Sequence, residues 1–236
     1  TVFGVYDHGD YGVVERVGDH LPIPAARQPR QRSWRINAKR TVLAAGAIER
    51  PIVFPGNGTP GVMLGGSIRT YLNRYGVLPG REAVVFTSSD DGWATARDLA
   101  AAGARVAAIV DARADVDAGL VALAQTIGAR VFTGSVVSAA SGGRALKQVT
   151  VRDASGQNTV ITCDLLAVSN GWNPTLHLTS HQNTRPVWDE AIQAFVPGAM
   201  PAGLSVAGSA AGHLSLAQAL TDGERLGAQA AQDCGF

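Results

Sequence analysis

Alternating hydrophobic and polar positions predict strands at the start of the chain. Residues 1–17 form two short alternating runs, separated by a turn-rich cluster at residues 7–10. A short apolar run at residues 42–45 predicts another strand, which leads into a tight turn at Gly46. Prolines at positions 51 and 55 prevent a long helix after that turn. The first sixty residues therefore favour sheet and loop over helix.

The pattern changes after residue 80. Residues 81–111 contain an apolar strand, a turn, a segment with apolar residues at helical spacing, and a second apolar strand, which together predict a βαβ unit. Gly103 stands where the C-cap of that helix is expected. Similar patterns predict helices over 67–75, 116–127 and 215–231, a strand over 130–133, and antiparallel strands near 136–138, 147–152 and 159–162.

The order of these elements predicts an α/β fold with one domain inserted into another. An inner Rossmann-like βαβ domain is expected over residues 80–185, together with an antiparallel β patch that adds a third layer. Residues 1–60 and 186–236 are predicted to be parts of an outer domain, and residues 61–79 a connecting loop with a short helix. No tandem repeat of 20–50 residues is visible.

Composition narrows the functional classes. Hydrophobic residues make up 46% of the 236 positions and charged residues 17%, which is enough to bury a substantial core. With 20 basic and 19 acidic residues, the net charge of +1 suggests neither a nucleic acid nor an anionic membrane as partner. No apolar run approaches the ~20 residues of a transmembrane helix. Cys163 and Cys234 form neither a C-x-x-C nor a zinc spacing, so a reducing cytoplasm is the predicted location.

Three stretches of the sequence carry a resemblance to a known family. Residues 41–80, TVLAAGAIERPIVFPGNGTPGVMLGGSIRTYLNRYGVLPG, closely resemble the α subunit of bacterial heterotetrameric sarcosine oxidases, as do VAAIVDAR and AVSNGWNP. The most specific part, AAGAIERP followed by FPGNGTPGVML, is shared more loosely with octopine and nopaline oxidase subunits and with the hydrogen cyanide synthase B subunit. The resemblance therefore implies a subunit of an opine oxidase or a hydrogen cyanide synthase as an alternative. The nested domain order is similar to that of flavoproteins with two dinucleotide-binding domains, such as thioredoxin reductase.

The resemblance implies a part in a larger flavoenzyme. In such a complex the α subunit binds NAD without using it as a hydride carrier, an FAD in another subunit oxidises sarcosine, and an FMN lies at an interface between subunits. The whole complex converts sarcosine to glycine, with formaldehyde and hydrogen peroxide. The expected partners are therefore the other subunits of a hetero-oligomeric flavoenzyme, and no catalytic residue is expected in this chain.

The outer domain is the stronger candidate for the NAD site. Ala44, Ala45 and Gly46 match the family's turn after a strand, where small residues let the backbone approach a dinucleotide. Gly208 and Ser209 match a Gly-Asp pair in which the acid of FAD enzymes holds the ribityl chain; a serine there argues against an ordinary FAD. The full set of predicted contacts is Val2, Ala44, Ala45, Gly46, Gly208, Ser209, Leu214 and Ser215.

The outer site has two open questions at the level of sequence. These residues form a Gly- and Ala-rich pattern that ordinary turns without a ligand also show. The outer domain's own G-x-G-x-x-G motif is absent, and we expect it upstream of Thr1, in a longer polypeptide. The chain would then contain half of the site.

The inner domain is a weaker candidate. Its turn after the first strand places Thr87, Ser89 and Gly92 where a dinucleotide motif has three glycines, so the Cβ of Ser89 would stand where the pyrophosphate should rest. Asp111 ends the second strand, about where an acid would meet a ribose hydroxyl. Asp90 and Asp91 at the helix start would repel phosphate and are expected to serve better as N-caps. These features favour a structural inner domain over one that binds NAD(P)H.

Three alternative functions remain to be compared with the first. A thioredoxin-reductase-like disulfide reductase needs a C-x-x-C pair, which the two cysteines do not provide. An NADH-dependent flavin reductase needs an intact inner glycine turn. A non-catalytic interaction module with decayed nucleotide sites is consistent with the replacements at positions 87, 89 and 209. The five histidines show no metal spacing, so no metal site is expected.

Overall fold

The computed structural model describes residues 1–236, which form seventeen strands, four α-helices and three short 3₁₀ turns. The strands are β1 (Val2–Tyr6), β2 (Asp10–Arg16), β3 (Gln31–Asn37), β4 (Thr41–Leu43), β5 (Ala47–Glu49), β6 (Val62–Leu64), β7 (Glu82–Thr87), β8 (Arg105–Asp111), β9 (Arg130–Phe132), β10 (Val136–Ser141), β11 (Gln148–Arg152), β12 (Asn158–Thr162), β13 (Leu165–Ser169), β14 (Trp172–Pro174), β15 (Val187–Asp189), β16 (Ala194–Val196) and β17 (Leu204–Val206). The helices are α1 (Gly65–Tyr75), α2 (Asp90–Ala101), α3 (Ala118–Thr126) and α4 (Leu216–Cys234). The 3₁₀ turns span Asp7–Gly9, Thr179–Gln182 and Gly208–Ala211.

The chain divides into two compact units. Thr1–Ile48 and Trp172–Phe236 form one, called here the outer unit, and Glu49–Gly171 form the other, the inner unit. The segment 61–79, predicted as a connector, supplies β6 and α1 to the inner unit. The two units meet at residues 48–49 and 171–172, whereas the predicted domain bounds are at residues 60, 80 and 185. The limits of the functional domains stay a prediction.

A five-stranded parallel sheet is the centre of the inner unit, in the order β6-β13-β7-β8-β9. Its central strands are buried over almost their whole length, which is why β7 and β13 are continuous apolar runs with no polar face. The predicted α/β class with a Rossmann-like inner βαβ unit is confirmed. The edge strand β6 has three residues within a glycine-rich segment and was not predicted.

The inner unit has a core on each face of this sheet. Because side chains alternate along a strand, Ala83 and Val85 face one side, where they pack with Trp93 and Leu99 of α2. Val84 and Phe86 face the opposite side, where the antiparallel sheet β10-β11-β12 covers them. Helices, parallel sheet and antiparallel sheet are thus the three predicted layers.

The outer unit contains smaller sheets and the longest helix. The antiparallel sheet β1-β2-β3 begins with the predicted pair of strands, joined at Tyr6 and Asp10. β4 and β17 form a parallel pair, and α4 packs on β4. In the first half of α4, Leu216 and Leu220 are 75% and 65% exposed. None of the four helices combines the length and the apolar character that crossing a bilayer requires.

Candidate functional site

The outer unit brings two of the predicted turns together. β4 and β17 run parallel and in register, with Leu43 beside Val206. The Ala207 N–H donates to the Leu43 carbonyl oxygen at 2.9 Å. Residues 44–46 and 208–209 therefore leave the carboxyl ends of neighbouring parallel strands, which is where α/β sheets bind their ligands. Ala44 and Ala45 are exposed at this edge.

Gly46 and Gly208 both have a left-handed backbone. Their φ angles are +77° and +63°, a region in which side chains with a Cβ are strained. A Cβ added at Gly46 would meet no atom within 4 Å, and one at Gly208 would lie 3.5 Å from Ala219. The glycines are therefore required by backbone conformation and not by lack of space within the chain.

Asp222 of α4 holds the second turn in place and was not predicted from the sequence. Its carboxylate is 5% exposed, and it accepts the Gly208 N–H at 2.9 Å. Burial raises the pKa of Asp222, but hydrogen bonds from Gly208, Arg225 and His213 together lower it by more. The pKa of Asp222 therefore lies below its usual value. The signal that could have identified this residue is an aspartate on the buried stripe of a helix, between Ala219 and Leu226.

The remaining predicted outer residues fall in two places. Ser215 caps α4 and its hydroxyl accepts the Gln218 N–H at 3.2 Å, while Leu214 precedes it with a partly exposed side chain. Val2 lies in β1 and pairs with Val13, in a different sheet from the turns after β4 and β17. Seven of the eight predicted residues thus belong to two turns and one helix start, and Val2 does not.

In the inner unit, Thr87 replaces the first glycine and closes the βαβ turn with its own side chain. Its hydroxyl donates to the Ser89 carbonyl oxygen at 2.8 Å and accepts the Ser89 N–H at 3.0 Å. A Cβ at Gly92 would lie 2.3 Å from the Thr87 Cβ, so only glycine fits there. The Ser89 hydroxyl is buried without a hydrogen-bond partner. The turn therefore packs strand against helix through side chains.

Asp111, predicted as the acid for a ribose, is occupied by groups of the chain. It is fully buried and accepts the Trp93 indole N–H at 2.8 Å, the Arg113 guanidinium at 2.8 Å and the Arg113 backbone N–H at 2.9 Å. The same guanidinium reaches Asp90 at 2.8 Å. Its hydrogen bonds to Asp111, only partly opposed by burial, raise the pKa of Arg113. Arg113 Nε also donates to Asp111 at 3.1 Å, so this carboxylate accepts four hydrogen bonds from within the chain.

Glu49 is a second buried carboxylate that sequence reasoning missed. It is 8% exposed and accepts the Gly66 N–H at 2.7 Å, at the N-terminus of α1. Burial raises the pKa of Glu49, although the hydrogen bond from the Gly66 N–H partly opposes the shift. No signal in the local sequence separates this residue from an exposed glutamate, because its burial depends on α1 packing above it.

Neither thiol chemistry nor a metal site is supported by the side chains. Cys163 and Cys234 are free, and burial raises the pKa of Cys163 to about 12, which makes its thiol unreactive. Cys163 lies just after β12 and packs in the core of the inner unit. No group of three or more His, Cys, Asp or Glu side chains is placed to hold a metal ion.

Comparison of sequences identifies the relatives of this chain. It is 44% identical over 94% of its length to a sarcosine oxidase subunit alpha from Rhizobium meliloti, and 43% identical over its full length to one from a Corynebacterium species. The chain is homologous to sarcosine oxidase α subunits. It spans 22% and 25% of the length of these two sarcosine oxidase subunits, so it corresponds to about a quarter of each. No protein-family model matches the chain.

Solved structures show the same fold at low sequence identity. Thioredoxin reductase from T. acidophilum superposes with a TM-score of 0.66 at 15% identity, over 86% of this chain and 69% of that one. L-proline dehydrogenase from P. horikoshii has a TM-score of 0.66 at 21% identity, over 100% and 41%. A flavoprotein disulfide reductase from Escherichia coli reaches 0.64 at 16%, over 94% and 48%. These three solved structures therefore share the fold of this chain.

Proposed function

We propose that this chain is the NAD-binding region of the α subunit of a sarcosine-oxidase-type flavoenzyme. The observation that carries the proposal is the pair of glycine turns at the carboxyl ends of β4 and β17, in a chain whose relatives are sarcosine oxidase α subunits. The other subunits of that hetero-oligomeric complex are its proposed partners. The cytoplasm, predicted from the absence of a cysteine framework, remains the proposed location.

The residues at this edge fit a dinucleotide better than an ordinary FAD. Ala44 and Ala45 are small and exposed, so a ligand can reach the backbone beside Gly46. Ser209 places a neutral hydroxyl where FAD enzymes have an acid, and the only carboxylate bound to this turn, Asp222, is buried. The predicted contacts of Leu214 and Ser215, at the start of α4, would lie against the same ligand; Val2 stays a prediction.

The inner unit has a structural role in this proposal. The Thr87 hydroxyl is hydrogen-bonded to the backbone of Ser89, and Asp111 is hydrogen-bonded to Trp93 and Arg113. A ribose hydroxyl would have to displace Arg113 to reach Asp111. These bonds support the prediction that the inner turn does not bind NAD(P)H.

In the complete enzyme, NAD would be held as a fixed group. When bound it would act as a structural group and would not transfer a hydride. The residues of this chain would bind and orient it: the turns at Gly46 and Gly208 would let the backbone approach, and Ser209 would offer a hydroxyl. The oxidation of sarcosine to glycine, with formaldehyde and hydrogen peroxide as the other products, is proposed for the whole complex. The FAD and FMN of that complex would not be held by this chain alone.

Calorimetric titration of the purified chain with NAD, NADPH and FAD tests the proposal. We expect NAD to bind, and Gly46→Val to weaken binding at least tenfold because a left-handed valine distorts the turn. Gly143→Val is the matched control, since Gly143 also has a left-handed backbone (φ +89°) with open space around it, but lies between β10 and β11.

The possible outcomes separate the proposal from its alternatives. Binding of NAD that is lost in the Gly46 variant and kept in the Gly143 variant supports the outer site. Binding that both variants retain would exclude the turn after β4 as the site. An absence of binding by any nucleotide would contradict NAD binding by this chain and favour a scaffold.

A further inference from the structure

We infer that the cavity beside the first turns of α4 is a binding site for a phosphate group. The cavity has a volume of about 410 Å³ and is lined by His213, Ala217, Gln218, Thr221, Asp222 and Arg225. It contains two basic side chains and two neutral hydrogen-bonding side chains. The ligand class is a phosphate or diphosphate ester.

Asp222 gives the site a fixed geometry. One carboxylate oxygen of Asp222 accepts from the Gly208 N–H and lies 3.1 Å from His213 Nδ1, and the other accepts from Arg225 at 2.7 Å. The two basic groups are therefore tied to one buried anchor, so less conformational entropy is lost when they meet a ligand. The backbone N–H of His213 also donates to the Gly208 carbonyl oxygen at 3.1 Å, which fixes the backbone that carries the imidazole.

The free donors of this cluster suit an anion. A protonated imidazole has an N–H on each ring nitrogen, so His213 can donate to Asp222 from Nδ1 and to a phosphate oxygen from Nε2. Arg225 uses one terminal nitrogen for Asp222 and is 65% exposed, which leaves further N–H donors for a phosphate. Asp222 is the only carboxylate in the lining, and its oxygens already accept three hydrogen bonds.

Neutral groups complete the wall. The hydroxyl of Thr221 can donate to a phosphate oxygen, and the side chain of Gln218 is held by Ser215 at 2.9 Å. With His213 protonated, the cluster of two cations and one carboxylate has a net charge of +1.

This inference deepens the proposed function, on which it rests for the identity of the natural ligand. The turn that Asp222 holds contains Gly208 and Ser209, so a diphosphate seated between His213 and Arg225 would belong to a dinucleotide that reaches the carboxyl ends of β4 and β17. The chemistry of the site itself does not depend on NAD, and inorganic pyrophosphate is a sufficient probe.

The experiment is a titration of the purified chain with pyrophosphate and with NAD, below neutral pH. We expect His213→Gln and Arg225→Gln each to weaken pyrophosphate binding about tenfold, because each removes a charge-assisted hydrogen bond. Arg40→Gln is the matched control. It also removes an arginine–aspartate pair on α4, at Asp233, but lies outside the cavity. In parallel, addition of pyrophosphate should shift the imidazole NMR signal that is absent from the His213 variant.

Each result decides one of the two proposals. Loss of pyrophosphate binding in both cavity variants, with the Arg40 variant unchanged, supports the phosphate site even if NAD does not bind, in which case the proposed function fails alone. NAD binding that the cavity variants retain, with no pyrophosphate binding and no shift of the His213 signal, overturns the phosphate site alone. No response to either probe overturns both.

Discussion

At the scale of single residues, the inner turn keeps one feature of a dinucleotide motif, the close packing of helix on strand at Gly92. Gly92, at the position of the third glycine, is the one at which helix and strand approach most closely. The contact it permits is with the side chain of Thr87, not with a ligand. Because Thr87 stands at the position of the first glycine and fills this space, only glycine fits at position 92.

Gly92→Ala should destabilise the chain by about 2 kcal/mol, because the new methyl group would overlap the buried Thr87 side chain. Urea unfolding of the purified variant measures the change. Gly223→Ala in α4 is the control: it adds a methyl group to a helical glycine with no atom within 4 Å, and should stabilise by roughly 0.5–1 kcal/mol. Equal effects of the two substitutions would contradict the steric explanation.

At the scale of elements, the N-termini of two neighbouring helices are each met by carboxylates of the chain. Glu49 accepts a hydrogen bond from the first turn of α1, and Asp90 and Asp91 lie in the first turn of α2. A negative charge at this end of a helix is stabilised by the helix dipole. These two helix N-termini, which could otherwise attract a phosphate, thus already have carboxylates beside them.

The stability of the chain should therefore depend on the titration of Glu49. The pKa of Glu49 is raised in the folded chain above its value of 4.5, mainly by burial. A raised carboxyl pKa contributes stability that is present below the unfolded pKa and is lost as the pH rises through the folded pKa. We expect Glu49→Gln to remove this part of the loss, because glutamine keeps an oxygen for the Gly66 N–H without a charge.

Urea unfolding at a series of pH values from below 4.5 to neutral provides the measurement. Glu224→Gln on the exposed side of α4 is the matched control, and it should leave the pH dependence unchanged. A Glu49→Gln variant whose free energy of unfolding follows the same pH profile as the parent chain would show that burial of this carboxylate has no such effect.

Elements whose own residues show a clear pattern could be predicted from the sequence. β7 and β8 are apolar runs of six and seven residues, and α2 has apolar residues at helical spacing. Strands of three residues, such as β14 and β16, show no period and exist because a partner strand pairs with them. For the same reason, the register of β4 with β17 could not be predicted: more than 150 residues separate them, and only the folded chain brings their ends together.

At the scale of the whole molecule, the two units differ in how the chain builds them. The inner unit is one continuous segment with a core on both faces of its sheet. The outer unit consists of two segments, and its parallel sheet has only two strands. Parallel sheets are normally buried on both faces, so a two-stranded one gains little stability from its own core.

We expect residues 49–171, expressed alone, to fold and to unfold cooperatively in urea. The reason is that both of its hydrophobic clusters consist of residues within this segment. Circular dichroism and the fluorescence of Trp93 should report a single transition at the same urea concentration. Separate transitions, or none, would mean that the core of the inner unit depends on the rest of the chain.

The pairing of Arg113 with Asp111 has a consequence for how this part of the molecule responds to its surroundings. A domain that needs a soluble ligand to satisfy a buried acid is stabilised in proportion to the logarithm of the free ligand concentration. Here the partner of the acid is two residues away on the same polypeptide, so its effective concentration is constant. The stabilisation from this contact is therefore independent of the metabolic state of the cell, and starvation for nucleotides would leave it intact.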